Sequence, residues 1–297
     1  MRKTLLFTCA LALCVIPVQA ASIILYGGLG GHNNGDSTND GALAIVDQTT
    51  GAVSIVGHPA NVNRISGLAF DPNGLLFAAT QAGGGFPPPP GPTGASRLLL
   101  LNPNSGAILS NVLISDGTNG ISIADLAVQP GTGVLFGIRS PQDQLNGQGR
   151  LYTINKTTGL ATLVGDTGDF FGSIAFAPNG TLYMSSADLD PNDNLTNIGL
   201  KTLNPVNASM LSFVATRDFF GALGIRPQDG AMFGGTGDQA SLFIVNPVTG
   251  AETLIGSTGS NFVGDLAFQT VPEPATLAMV GAALSLVAVW RKRARTY

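Results

Sequence analysis

Three features of the sequence predict an all-β fold, a five-bladed β-propeller: a unit of roughly 50 residues that recurs five times, four short apolar runs in each unit, and turn residues between the runs. The 297 residues include 40 glycines and 18 prolines without a collagen-like period, and only 11% are charged. A soluble domain typically carries about 25% charged residues. Such a chain is neither a charged disordered polymer nor a nucleic-acid binder built on a field of Lys and Arg.

The first repeated element is an inner strand, a tight turn and a second strand. It runs Ser66-Gly67-Leu68-Ala69-Phe70-Asp71-Pro72-Asn73-Gly74 to Phe77, and returns as Asp125-Leu126-Ala127-Val128-Gln129-Pro130 to Phe136. It recurs as Ser173-Ile174-Ala175-Phe176-Ala177-Pro178 to Tyr183 and as Ala222-Leu223-Gly224-Ile225-Arg226-Pro227 to Phe233. A fifth copy, Gly264-Asp265-Leu266-Ala267-Phe268, stops halfway. The central aliphatic residues at 68, 126, 174, 223 and 266 are 58, 48, 49 and 43 residues apart.

A hairpin alternates with this element, at 42–56, 97–112, 150–164, 200–214 and 241–255. Its turn ends at Gly51, Gly106, Gly159, Ala208 and Gly250, where glycine supplies the positive φ that closes a hairpin. Ala208 is the exception and suggests a relaxed turn. The fifth unit lacks its second strand, and residues 22–27 near the start look like that strand, so the last inner strand should complete a blade begun at the N-terminus. Such a clasp removes open sheet edges. A stacked β-sandwich is the competing arrangement, and at the level of architecture the unit resembles NHL-like propeller repeats.

The two ends read as addresses. Residues 1–20 combine Arg2 and Lys3, an apolar run and small residues before Ala21, the order of a secretory signal peptide handled by the Sec translocon and signal peptidase. Cys9 and Cys14, the only cysteines, leave with it, so residues 21–270 form an exported domain that depends on packing alone. At the other end, residues 271–297 begin Val271-Pro272-Glu273-Pro274-Ala275 and continue through an uncharged stretch over 275–290 to Arg291, Lys292, Arg293 and Arg295 in the tail 291–297. Sixteen helical residues span about 24 Å, a short transmembrane helix whose basic flank stays cytoplasmic.

This box, helix and tail resemble the PEP-CTERM sorting signal of Gram-negative bacteria. The resemblance implies recognition by an exosortase-type protease that cuts near the box, display at the cell surface or in the extracellular matrix after processing, and an association with exopolysaccharide. The prolines fit it, because they stop a helix and hold the box extended. Residues 21–274 keep eight of the fourteen basic residues and all eighteen acids, a net charge of −10. A domain so acidic offers nothing to nucleic acid or anionic lipid.

Within each unit one set of turns is tight, whereas connections 28–41, 81–95, 140–149 and 187–197 on the opposite face are long. One-sided insertions mark the expected binding face, with polysaccharide or another matrix component as its partner. Asp169, Phe170 and Phe171 recur on that side as Asp218, Phe219 and Phe220 before inner strands, either as plugs between blades or as a sugar-stacking platform. Asp188, Asp190 and Asn192 alternate like the start of a calcium loop, without its later glycine and glutamate, which makes Ca²⁺ the one conceivable cofactor. Asp125 and Asp265 share one repeat position on two inner strands. The reading is of inter-blade hydrogen bonds in a non-enzymatic protein; the alternative is a polysaccharide hydrolase or lyase that uses this pair as acid and base. His32 and His58 stand apart, with no ligand set or triad around them.

Overall fold

The inner strand of each repeat is flanked by a neighbouring sheet on both faces, so its sequence is an almost unbroken run of apolar and small residues. The computed structural model describes residues 23–30, 38–80, 95–139, 149–168, 171–190, 194–237, 239–259 and 262–269. Blade 1 contains β1 (Ile24–Leu29), β2 (Leu43–Val46) and β3 (Val53–Gly57). Blade 2 is β4 (Ile65–Phe70), β5 (Leu76–Thr80), β6 (Arg97–Leu101) and β7 (Ile108–Leu113); blade 3 is β8 (Asp125–Val128), β9 (Leu135–Arg139), β10 (Arg150–Ile154) and β11 (Ala161–Asp166). Blade 4 is β12 (Phe171–Phe176), β13 (Leu182–Leu189), β14 (Leu195–Leu203) and β15 (Met210–Ala215). Blade 5 is β16 (Ala222–Ile225), β17 (Met232–Thr236), β18 (Ser241–Val245) and β19 (Glu252–Ser257).

The last strand, β20 (Val263–Gln269), pairs antiparallel with β1 and supplies the inner strand of blade 1. Five four-stranded sheets result, with β20, β4, β8, β12 and β16 packed in a closed ring. This is the expected five-bladed propeller with its clasp, and the five separate sheets exclude a sandwich. The register pairs Ile24 with Gln269. The chain therefore enters and leaves blade 1 where the other blades carry a tight turn between their first two strands.

Five apolar cores lie between successive blades. One recurring contact organises them: the last apolar residue of an inner strand meets the aromatic residue on the second strand of the preceding blade. Tyr26 meets Phe70, Phe136 meets Phe176 and Phe233 meets Phe268, each with ring centroids 5.3 Å apart and planes inclined by about 60°. Val128 packs in one core with Phe77, and Ile225 in another with Tyr183.

The outer hairpin turns also repeat. Asp47, Asn102, Asn155, Asn204 and Asn246 open them, each accepting a backbone N–H two residues on. Gly51, Gly106, Gly159 and Gly250 close theirs at φ of 77, 70, 73 and 70°. Ala208 corrects the expectation of a relaxed turn: its φ is 61°, the same left-handed conformation, adopted by a residue with a Cβ. Its methyl is fully buried in the core between blades 3 and 4, and this packing offsets the conformational cost of about 1–2 kcal/mol.

Candidate functional site: a carboxyl pair in the central channel

An inner strand pairs on one edge only, so its other edge turns backbone N–H and C=O groups toward the propeller axis. Those amides need acceptors, and Asp125 and Asp265 supply them. Asp125 Oδ1 accepts the N–H of Leu126 and Oδ2 that of Ile174 on β12, both at 2.6 Å. Asp265 Oδ1 accepts the N–H of Leu266 at 2.6 Å, and Oδ2 that of Leu68 on β4. Each aspartate thus ties its own blade to the next in the same rotational sense. Ser173 at the equivalent position does likewise, donating its hydroxyl to the Phe220 carbonyl at 3.1 Å.

The strands that carry the two aspartates are separated in the ring by β4. Gly67 holds the matching position on β4. A Cβ there would lie 2.7 Å from the Leu126 nitrogen and 3.0 Å from the Asp125 carbonyl carbon, so only glycine lets β8 come this close. Both aspartates are 0% exposed. Removal from water pushes Asp125 up to about 7, and pushes Asp265 well above the carboxylate range, with the charge of Asp125 adding to the rise.

Next to the pair runs a cavity of about 90 Å³ lined by three residues from every inner strand, including Leu68, Leu126, Ile174, Leu223 and Leu266. On the tight-turn side lies a funnel of about 410 Å³ walled by Phe70, Val128, Phe176, Ile225 and Phe268 and rimmed by Pro72, Pro130, Pro178 and Pro227. The sequence reading placed binding on the opposite face and missed this funnel. Its signal was present, since each proline follows the central aliphatic residue of its repeat by four positions.

The other candidate residues are scattered. Asp169, Phe170, Asn192 and the side chain of Phe171 lie outside the described residues, as do the sorting box Val271, Pro272, Glu273, Pro274 and Ala275, the apolar stretch 275–290 and the basic tail. Phe220 is wholly buried, 5.9 Å from the Phe243 ring between blades 4 and 5, and a Cβ on Gly234 would lie 2.4 Å from its ring. It fills the plug role rather than a sugar platform. Phe219 beside it is half-buried. The Asp218 carboxylate meets Arg217 at 2.6 Å, an ion pair that holds it below the usual carboxylate range. Sequence reasoning overlooked Glu252 in this cluster: it bonds the N–H groups of Arg217 and Asp218 at 2.7 and 2.9 Å, tying β19 to the connection from blade 4.

Asp188 accepts from the Asn197 amide at 3.0 Å and Asp190 from the Asn194 backbone at 2.9 Å, so both carboxylates brace their own loop. Among the described residues no three His, Cys, Asp or Glu side chains come together. None of these residues forms a helix long and apolar enough to cross a membrane.

Residues 270–294 match the PEP-CTERM protein-sorting motif, a short stretch of the chain at the place the Pro-Glu-Pro box indicated. No curated protein matches the chain in sequence. Among solved structures, a chain of a nidogen/laminin complex is similar at 13% identity with a TM-score of 0.51, over 84% of this chain and 99% of that one. Hydrazine synthase of Kuenenia stuttgartiensis overlaps at 14% identity and a TM-score of 0.40, over 69% of this chain and 50% of that one. The first likeness shows the fold alone. The chain thus joins a five-bladed propeller to a PEP-CTERM sorting signal, the build of an exported surface protein.

Proposed function

We propose that the protein is a non-enzymatic binding module, passed through the Sec translocon and signal peptidase, held by its C-terminal segment, and delivered by an exosortase-type protease to the cell surface or extracellular matrix. There its face of long connections engages polysaccharide or another matrix component. The observation that carries this reading is the position of the chain ends. Ile24 pairs with Gln269 on the tight-turn side, and the sorting motif begins at residue 270. The described residues that flank the long connections, Leu29, Thr80 and Arg97 among them, lie at the other ends of their strands.

Hydrolase or lyase chemistry at Asp125 and Asp265 gains no support from the channel. Glycosidase carboxyl pairs stand about 5–9.5 Å apart around a substrate, whereas each of these is wholly buried and bound to two backbone N–H groups. Pull-down of exopolysaccharide fractions with the purified protein tests the binding half. Retention on at least one fraction is expected, and passage through all of them sinks it. Replacing Pro272, Glu273 and Pro274 by alanine tests the sorting half: the protein should remain with the membrane, and unchanged release would reject recognition of the box.

A further inference from the structure

Each blade ends at an outer strand whose far edge pairs with no other described strand, and such an edge is a template for pairing unless charge, proline or cover blunts it. The five edges differ in what they show to solvent. β3, β11 and β19 each expose one large apolar side chain, Ile55, Leu163 and Leu254, and β7 exposes two, Leu109 and Leu113. Charge guards two of them, since Arg97 bonds Asn111 on β7 and Arg150 pairs with Asp166 on β11. β15 exposes three, Met210, Leu211 and Phe213, by 53, 65 and 42%, and Val206 in the turn before it is 81% exposed.

The β15 edge is also sterically clear. The Thr216 N–H donates to the Ile198 carbonyl at 3.2 Å, and from that bond the antiparallel alternation turns the N–H and C=O of Phe213 away from β14. The Phe213 ring leans the other way, onto the sheet: a Cβ on Gly199 of β14 would lie 2.4 Å from it. Blade 5 covers the far end of the edge, where a Cβ on Gly250 would lie 2.0 Å from the Ala215 oxygen. Residues 210–213 are the part left to a partner.

We propose that this rim of blade 4 is a contact between two copies of the chain, β15 against β15 across a two-fold axis. Charge singles out a second copy as the occupant. A two-fold contact sets one patch against itself, so a charged patch meets its own sign and an uncharged one does not. No Asp, Glu, Lys or Arg occurs from Thr202 to Thr216, in an exported part whose net charge is −10. Two such domains repel each other over most of their surfaces, and the neutral apolar edge is where they can meet. Four side chains and a short edge make a small contact beside the roughly 800 Å² per partner of a stable complex. The dimer is therefore weak, dependent on concentration, and tightened by salt that screens the repulsion.

The test is sedimentation velocity of the purified protein over about a hundredfold range of concentration, at low and high salt. A shift from monomer toward dimer is expected as concentration rises, and a larger one at high salt. A sedimentation coefficient that does not move, or a dimer that salt dissolves, overturns the proposal. Leu211→Lys and Phe213→Lys put a charge on the edge and should hold the protein monomeric, whereas Leu163→Lys on β11 should dimerise like the wild type. A dimer that survives both β15 substitutions, or is lost equally in the β11 variant, overturns the assignment to β15. Should Phe213→Lys fail to fold, Leu211→Lys decides, because its side chain is the more exposed of the two.

Discussion

The inner ring and the outer rim close the same propeller by different means. At the rim, the turn of one blade rests on the outer strand of the blade before it. A Cβ on Gly57 would sit 2.0 Å from the Ser105 carbonyl oxygen, one on Gly165 2.3 Å from that of Asn207, and one on Gly256 2.0 Å from that of Thr50. Blades 3 and 5 use the glycine of the turn instead, Gly159 against Leu113 and Gly250 against Ala215. This is one backbone contact made five times. The inner ring has Gly67, Asp125, Ser173, Ala222 and Asp265 at one repeat position, and joins blades through unlike side chains. Repetition suffices where the blades splay apart, whereas near the axis the side chains that join the blades differ from strand to strand.

The contrast predicts that substitutions near the axis cost most. Asp125→Ala removes the acceptor of two buried N–H groups and leaves a hole, so it should cost about 3–5 kcal/mol by denaturant titration at pH 5. At pH 8 the cost should shrink, because the variant has also lost a destabilising charge; an equal cost at both pH values would reduce the inner ring to ordinary packing. Gly67→Ala forces a methyl against the β8 backbone and should cost about 2–3 kcal/mol. At the rim, Gly159→Ala combines a positive φ with a Cβ 2.1 Å from the Leu113 oxygen. About 2 kcal/mol is expected, since an exposed outer strand gives way more easily.

Lys156→Met probes a bridge between blades 2 and 3. Lys156 Nζ lies 3.1 Å from Asp71 Oδ2 and 5.3 Å from the Phe77 ring centroid. Burial raises Asp71, but bonds from the Leu75 N–H, Lys156 and the Asn73 N–H outweigh it and hold the group below its ordinary value. Its contribution is therefore present above about pH 4 and lost as pH falls. A loss of about 1 kcal/mol at pH 7 that shrinks as pH falls below about 4 is the expected melting result. Ala208→Gly should change stability least, by under about 1 kcal/mol, because relief of φ and loss of a buried methyl oppose each other. A large loss there would mean the rim, too, depends on individual side chains.

Much of this was legible in the residues. The spacing of Leu68, Leu126, Ile174, Leu223 and Leu266 gave the blades, and the truncated copy at Asp265 gave the clasp, because a repeat that cannot bury its own faces must be stacked and closed. Asp125 and Asp265 stood out as one repeat position occupied twice. Their full burial at the axis could not be read, since it exists only after strands 140 residues apart in sequence are brought into one ring. Phe220 was ambiguous for a related reason: a repeated aromatic fits a plug or a platform equally, and only its burial against Phe243 decides.

The sequence by itself determined the β architecture, the blade count, the sorting box and the acidic character of the exported part, all of which follow from local patterns of apolarity, turn chemistry and charge. Only the tertiary structure decided on which side of the blades Ile24 meets Gln269, that Ala208 keeps the left-handed turn, and that both aspartates are wholly buried at the axis. Those properties depend on distances between segments remote in the chain, and desolvation, which sets the chemistry of the pair, exists only once five blades exclude water from the axis.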